Sequence, residues 1–417
     1  MAISAPASDD FFLARQPILG RDQHLMGFEL LFRSPGAIEA NVTDNAAATA
    51  AVISHASQLG MAQVVGERLA FVNVDAVVLM SDFVRFLPHD KVILEILETV
   101  EATDEIVARV VELKALGFKF ALDDVVADSA QLRALTALVD VIKVDLRGVD
   151  PAGLGALTMR LKESHKKLLA EKVETVEEFK QCMALGFEYF QGYYFARPVI
   201  LSGRKIAPSE LVILRLLEMI QSEADNRAIE LYVKRDALIS LNLLRLVNTA
   251  AAGARSRINS LAQALLVLGR RQLQRWLQIL LYAKPGGVVE LGSPLLQLAT
   301  TRGKLLELMT EQLCPGQRAA ADMAFTVGIM SLMDTLFSTP MRDILDTVTV
   351  DDEVRGALLA RSGQFGAMLR VVEMIERPET DGDLLATLGQ LGLSVVQMRE
   401  ISLAAFTWVN ELEQEVA

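Results

Sequence analysis

The stretch FALDDVVADS, residues 120–129, sets Asp123 and Asp124 side by side at the end of an apolar run. Neighbouring carboxylates raise each other's cost of ionisation, and a divalent cation removes that cost. A single aspartate pair can also be a solvated loop opening that caps the next helix. Other strand-like runs carry polar residues near their ends in the same way: Glu29, Asn73, Glu95, Lys143 with Asp145, Glu171 with Glu174, and Gln191. One such residue is ordinary loop polarity, whereas one on nearly every run is hard to ascribe to solvation. Oxygen-rich sets of this kind suit hard cations such as Mg²⁺ or Mn²⁺ rather than zinc, since no His or Cys recurs among them. Adjacent aspartates can serve two close ions, a clamp that activates water and neutralises charge on an in-line phosphoryl displacement. Lys143 is the lone cation in this acidic set. It could orient the attacking water, or form a structural ion pair with Asp145 or Glu171.

The elements that must position these residues alternate from about residue 10 to 200. Short β-rich runs (FFLARQPIL, GFELLFR, LAFVNVD, KVILEIL, KFALDDV, VIKVDL, KLLAEKV, YFQGYYF) are mostly separated by helical stretches such as TDEIVARVVELKALG and TVEEFKQCMALG. About eight strands in roughly 200 residues fit a compact (β/α)8 barrel better than an open doubly wound sheet. In such a barrel chemistry sits where the C-terminal strand ends converge. The first two runs are joined only by GRDQHLM, too short for a crossover helix, so they are expected to pair antiparallel.

After Pro198 the strands stop and the chain reads as helix after helix, an all-α region. RPVILSGRKIAPS is the natural boundary, giving a barrel domain over 1–204 and a helical domain over 205–417. All four histidines (His24, His55, His89, His165) precede residue 204, so a His-Asp metal site is excluded from the second half. They read as surface or core residues. Arg255, Arg257, Arg270, Arg271 and Arg275 form a locally basic region, read as a solvated helix face rather than an anionic-partner site.

Hydrophobic residues make up 52% of the 417, enough for sizeable cores, and charge interrupts every apolar run before the roughly 18 to 20 residues that span a bilayer. No membrane span is therefore expected. The N-terminal segment has neither a basic start nor an apolar core, which argues against a secretory signal and for a cytoplasmic location. Cys182 and Cys314 have no metal or redox spacing and are expected to be buried free thiols. The net charge of −12 argues against general nucleic-acid binding but allows a small anionic ligand held by metals.

ELL at 29–31, FVN ending at Asn73, LEILE at 94–98, LDD at 122–124, KVD at 143–145, AEKVET at 170–175 and QGYYFARP at 191–198 resemble the ordered motifs of EAL domains. These are cyclic di-GMP phosphodiesterases and their degenerate relatives, and the resemblance covers nearly all of residues 10–200. It implies a modified TIM-like barrel with an antiparallel first strand. It also implies Glu29, Asn73, Glu95 and Asp123 as metal ligands, Asp124 at a second ion, and Lys143 and Glu171 positioning the nucleophilic water. Gln191 would complete the site and Arg33 would meet a ligand phosphate. The stretch from Lys234 through the GRRQLQRW segment resembles the HDOD domain, a helical relative of HD phosphohydrolases without their metal site. Together the halves resemble the EAL-HDOD signalling proteins of bacteria. No receiver, PAS or GGDEF-like segment is visible, so input is expected through ligand or partner binding.

Three departures bear on activity. The family's DDFG-type loop, often also a dimer contact and so compatible with a homodimer, here has Val125 and Val126 in place of Phe and Gly. β-Branched residues do not readily take the backbone angles glycine allows. The alanine of EAL is Leu30, and the glycine usual in AEGVE is Lys172. The expectation is a cyclic di-GMP-binding signalling protein with weak or lost turnover, coupled to a protein partner through the HDOD module. The alternative is an active Mg²⁺- or Mn²⁺-dependent hydrolase giving linear pGpG.

Overall fold

The protein is described here from a computed structural model, over residues 12–33, 61–196, 208–222, 224–233, 261–282, 293–347, 350–376 and 384–416. The chain divides into two compact units, Met1–Arg197 with Ser394–Leu403, and Pro198–Leu393 with Ala404–Ala417.

The first unit is a closed barrel of eight strands in chain order: β1 (Phe12–Gly20), β2 (Leu25–Arg33), β3 (Leu69–Val74), β4 (Val92–Ile96), β5 (Lys119–Leu122), β6 (Val141–Asp145), β7 (Lys167–Glu171) and β8 (Tyr189–Gln191). The expected hairpin is present: β1 runs antiparallel to β2 and to β8, while every other neighbouring pair is parallel. Helices follow the later strands where their caps dictate. Thr103 accepts a hydrogen bond from Ile106 N to start Asp104–Ala115, and Thr175 with Glu178 forms a capping box for Val176–Leu185. The helix after the aspartate pair, Ala130–Thr136, is capped by Ser129 Oγ and not by either aspartate.

Ile18, Phe71, Ile93, Ala121, Val141 and Leu169 form one buried layer across the barrel interior, with Leu69 and Tyr189 packed against it. Side chains alternate with a period of two, so the next residues on the same face point into the barrel mouth. Those are Asn73, Glu95, Asp123, Lys143, Glu171 and Gln191. On β2 the layer position is Gly27, where a Cβ would stand 2.7 Å from the Leu69 carbonyl oxygen on β3. The apolar floor thus fixes which side chains form the polar rim.

The second unit is helical in its described parts. Pro294–Leu313 and Arg318–Met330 pack closely; a Cβ at Gly328 would lie 2.5 Å from the backbone of Arg302. Arg302 is fully buried: Nε and Nη2 bind Glu376 at 2.9 and 2.6 Å, and Nη1 donates to Ser331 Oγ at 2.9 Å. The stretch Arg318–Phe337 is long and apolar enough to cross a membrane by composition, yet its most apolar window is 67% buried, as a core helix should be.

Two expectations are corrected here. Arg275 is no solvated residue: it pairs with Glu307 and lies 3.9 Å over the Phe325 ring. Arg271 is exposed as expected, while Arg255 and Arg257 fall outside the described residues, as does the HDOD-like stretch 234–260. Cys182 is buried, with burial pushing its thiol up to about 12, but Cys314 is only half-buried.

Candidate active site at the barrel mouth

Lys143, in the middle of β6, is the centre of the rim. Its Nζ lies 2.7 Å from Asp123 Oδ1, 2.9 Å from Glu171 Oε1, 3.0 Å from Glu95 Oε1 and 3.5 Å from Glu29 Oε2. Burial alone would favour the neutral amine, but the four carboxylates outweigh it and hold the ammonium well above the usual lysine range. Of the two structural pairings considered from sequence, Glu171 is in contact. Asp145 turns elsewhere: its Oδ2 accepts from Lys172 Nζ at 2.9 Å and its Oδ1 from Arg147 N at 2.8 Å.

Glu29 is the best-satisfied acid. Asn73 Nδ2 donates to Oε1 at 2.9 Å and Gln191 Nε2 to Oε2 at 2.5 Å. Burial pushes its carboxyl up, yet Lys143 and these two amides prevail and lower it. Gln191 Nε2 also reaches Gln16 Oε1 at 2.9 Å. Glu95 is the opposite case, with 0% exposure and neither oxygen accepting a hydrogen bond. Burial and the Glu29 charge raise its carboxyl well above the usual range despite Lys143. Glu171 is raised to about 8 by burial, against Lys143 and with Asp123 and Glu29, and its Oε2 accepts no hydrogen bond.

Asp124 sits just outside this cluster in a left-handed conformation (φ 44), which aspartate tolerates better than most residues. Burial and Asp123 raise its carboxyl, partly offset by Lys172, whose Nζ is 3.6 Å from its Oδ1. Ligand oxygens of Asp123, Asp124 and Glu98 lie within 4.8 Å of one another. The expected backbone strain at Val125 and Val126 is absent, since neither has a positive φ. Val125 is buried and its amide donates to Lys143 O at 2.9 Å, while Val126 lies over Gly148.

The site therefore unites Glu29, Asn73, Glu95, Asp123, Lys143, Glu171 and Gln191, with Asp124 at its edge. Glu174 lies further out, 3.8 Å from Arg147 Nε. Arg33 is the last residue of β2, on the parity of Glu29, and the placement of its side chain lies outside the described residues. Gln16 and Glu98 were not foreseen. β1 runs in reverse, so its mouth residue precedes the floor residue Ile18 instead of following it. Glu98 lies two residues beyond the end of β4.

The residues fit a divalent cation. Three buried carboxylates and the half-buried Asp123 face one ammonium, Glu95 Oε1 meets it only as an ion pair, and Glu95 Oε2 and Glu171 Oε2 accept no hydrogen bond. Buried acceptors in excess of donors are what a hard cation satisfies.

Comparison with known proteins bears on the family of the chain. Residues 2–198 match the EAL domain model and residues 207–284 the HDOD domain model. The cyclic di-GMP phosphodiesterase CdgJ of Vibrio cholerae is 30% identical over 410 residues, covering 97% of this chain and 93% of that one. The chain belongs to the EAL-HDOD family. The uncharacterized protein YuxH of Bacillus subtilis is 29% identical over 412 residues, 96% of this EAL-HDOD chain and 98% of its own. Among solved structures, BlrP1 of Klebsiella pneumoniae in its calcium and cyclic di-GMP complex is 25% identical over 47% of this EAL-HDOD chain and 58% of that chain, with a TM-score of 0.37.

Proposed function

We propose that the barrel domain, residues 1–204, binds cyclic di-GMP together with Mg²⁺ or Mn²⁺ and turns it over slowly. The helical domain, residues 205–417, then acts as the module that contacts a protein partner. The observation that carries this reading is the convergence of four carboxylates on Lys143 with acceptor oxygens left over. Glu29, Asn73, Glu95 and Asp123 would hold one divalent ion, and Asp124 would face a second. Bound there, such ions supply charge neutralisation for a phosphodiester and lower the pKa of a bound water.

The chain's own groups divide the remaining work. Lys143 stays protonated, so it cannot take a proton; it orients the attacking water or a phosphate oxygen by charge and hydrogen bonding. Glu171 Oε2 is the open acceptor beside it and the natural place for the water's proton. Asn73 and Gln191 lock Glu29 from both sides. Arg33, the last residue of β2, would meet a ligand phosphate.

Slow turnover follows from the support of Asp124, where the family's Phe and Gly are Val125 and Val126. Loosened support costs rate even with ligands in place. The second reading, an active hydrolase giving linear pGpG, is favoured by the unstrained backbone of that valine pair. Titration with cyclic di-GMP in Ca²⁺, then a turnover assay in Mg²⁺ or Mn²⁺, separates them. Binding without efficient turnover, with the rate raised by Val125→Phe and Val126→Gly together, supports the first; fast wild-type turnover supports the second. No binding removes both.

A further inference from the structure

One residue that departs from the EAL pattern near the site is Lys172, directly after β7. It holds a left-handed backbone (φ 56) that glycine takes freely and a lysine does not. Its carbonyl is pinned by Arg147 Nη2 at 3.1 Å, and the same guanidinium bonds Glu178 at 2.8 Å. From that fixed backbone the ammonium reaches across to Asp145 Oδ2 at 2.9 Å and lies 3.6 Å from Asp124 Oδ1. Asp124 is the carboxylate that the reading above places at a second ion, and its ligand oxygen lies within 4.8 Å of those of Asp123 and Glu98.

We infer that Lys172 is a tethered counter-ion for Asp124 that supplies part of a second cation's charge from within the chain, so the site binds one divalent ion tightly and the second weakly. A fixed positive charge beside a ligand carboxylate repels an incoming ion and competes for the same oxygen. Lys143 cannot fill this role, since it lies in the inner cluster against Glu29, Glu95, Asp123 and Glu171. The inference rests on the metal-site reading and specifies how that site is loaded.

The test is a Mn²⁺ titration of the full-length protein, with bound ions counted by electron paramagnetic resonance, whose spin-coupled signal reports a close pair. Wild type should fill one site well before the second. Lys172→Gln and Lys172→Gly should tighten the second ion by at least about tenfold and bring in the coupled signal at lower Mn²⁺, whereas Lys172→Arg should keep the wild-type separation. The glycine variant suits the backbone and guards against misfolding of the glutamine one. A second-ion affinity within about twofold of wild type in both variants, or two equally tight ions in wild type, overturns the role of Lys172 and leaves the metal site standing. No Mn²⁺ bound in any of them overturns the metal-site reading itself.

Discussion

Each unit buries charge, but in different ratios. In the helical unit Arg302 meets Glu376 through two guanidinium nitrogens and Ser331 through the third, and Glu307 is met by both Arg275 and Lys304, so each of these acids has its cation. In the barrel one ammonium faces four carboxylates, and Glu95 Oε2 and Glu171 Oε2 accept no hydrogen bond. A matched buried pair is a structural device that is costly to break from one side. An unmatched set is unstable as it stands and marks a place where something else completes the charge. Burial alone does not distinguish the two; the balance of donors and acceptors does.

The largest way to break this contrast is on the matched side. Arg302→Ala removes the guanidinium that pairs with the Glu376 carboxylate, and should cost about 3–5 kcal/mol in chemical denaturation with no rescue by added Mn²⁺. On the unmatched side, Mn²⁺ or Mg²⁺ at about a hundred times its dissociation constant should stabilise the protein by about 2.7 kcal/mol in thermal melts. Asp123→Ala and Glu29→Ala should abolish that gain; a gain unchanged in both would remove the barrel from the comparison.

A smaller effect is read through pH. The Glu171 carboxyl is raised from 4.5 to about 8, so the metal-free folded state keeps a proton that the unfolded chain gives up. Its stabilising contribution is complete below about pH 4.5 and is lost as pH rises through about 8, with a slope of at most about 1.4 kcal/mol per pH unit. Glu171→Gln should flatten the metal-free calorimetric melting profile across that window, while the wild-type slope should shrink when Mn²⁺ is present. The smallest effect sharpens the contrast most. Glu95→Gln removes a carboxyl whose ionisation burial and the Glu29 charge both disfavour, so metal-free stability should change by less than about 0.5 kcal/mol while the Mn²⁺-induced shift falls away. A large metal-free loss in that melt would mean Glu95 is structural after all.

The strand-end rule made most of the site legible before any coordinates, because parallel strands with a period of two bring Asn73, Glu95, Asp123, Lys143, Glu171 and Gln191 to one level. The seven-residue joint between the first two runs made the antiparallel hairpin legible too. The rule failed where its premise fails. Gln16 lies on the one reversed strand, and Glu98 lies beyond the strand end. Lys172 looked like the mere loss of a glycine, since its reach to Asp124 and Asp145 depends on a backbone angle that sequence does not display. Arg275 was misread because an arginine cluster on a helix gives no sign of Glu307 and Phe325 closing over one member.

The absent side chain of Gly27 has a mechanical consequence. With 2.7 Å between a would-be Cβ and the Leu69 carbonyl, residue 27 acts as a spacer that sets how far apart β2 and β3 stand. Two residues along, the same pair of strands carries Glu29 and its 2.9 Å bond from Asn73. A methyl group at Gly27 would therefore pry that bond open from below, detuning the site through strand separation alone while every reactive side chain remained in the sequence.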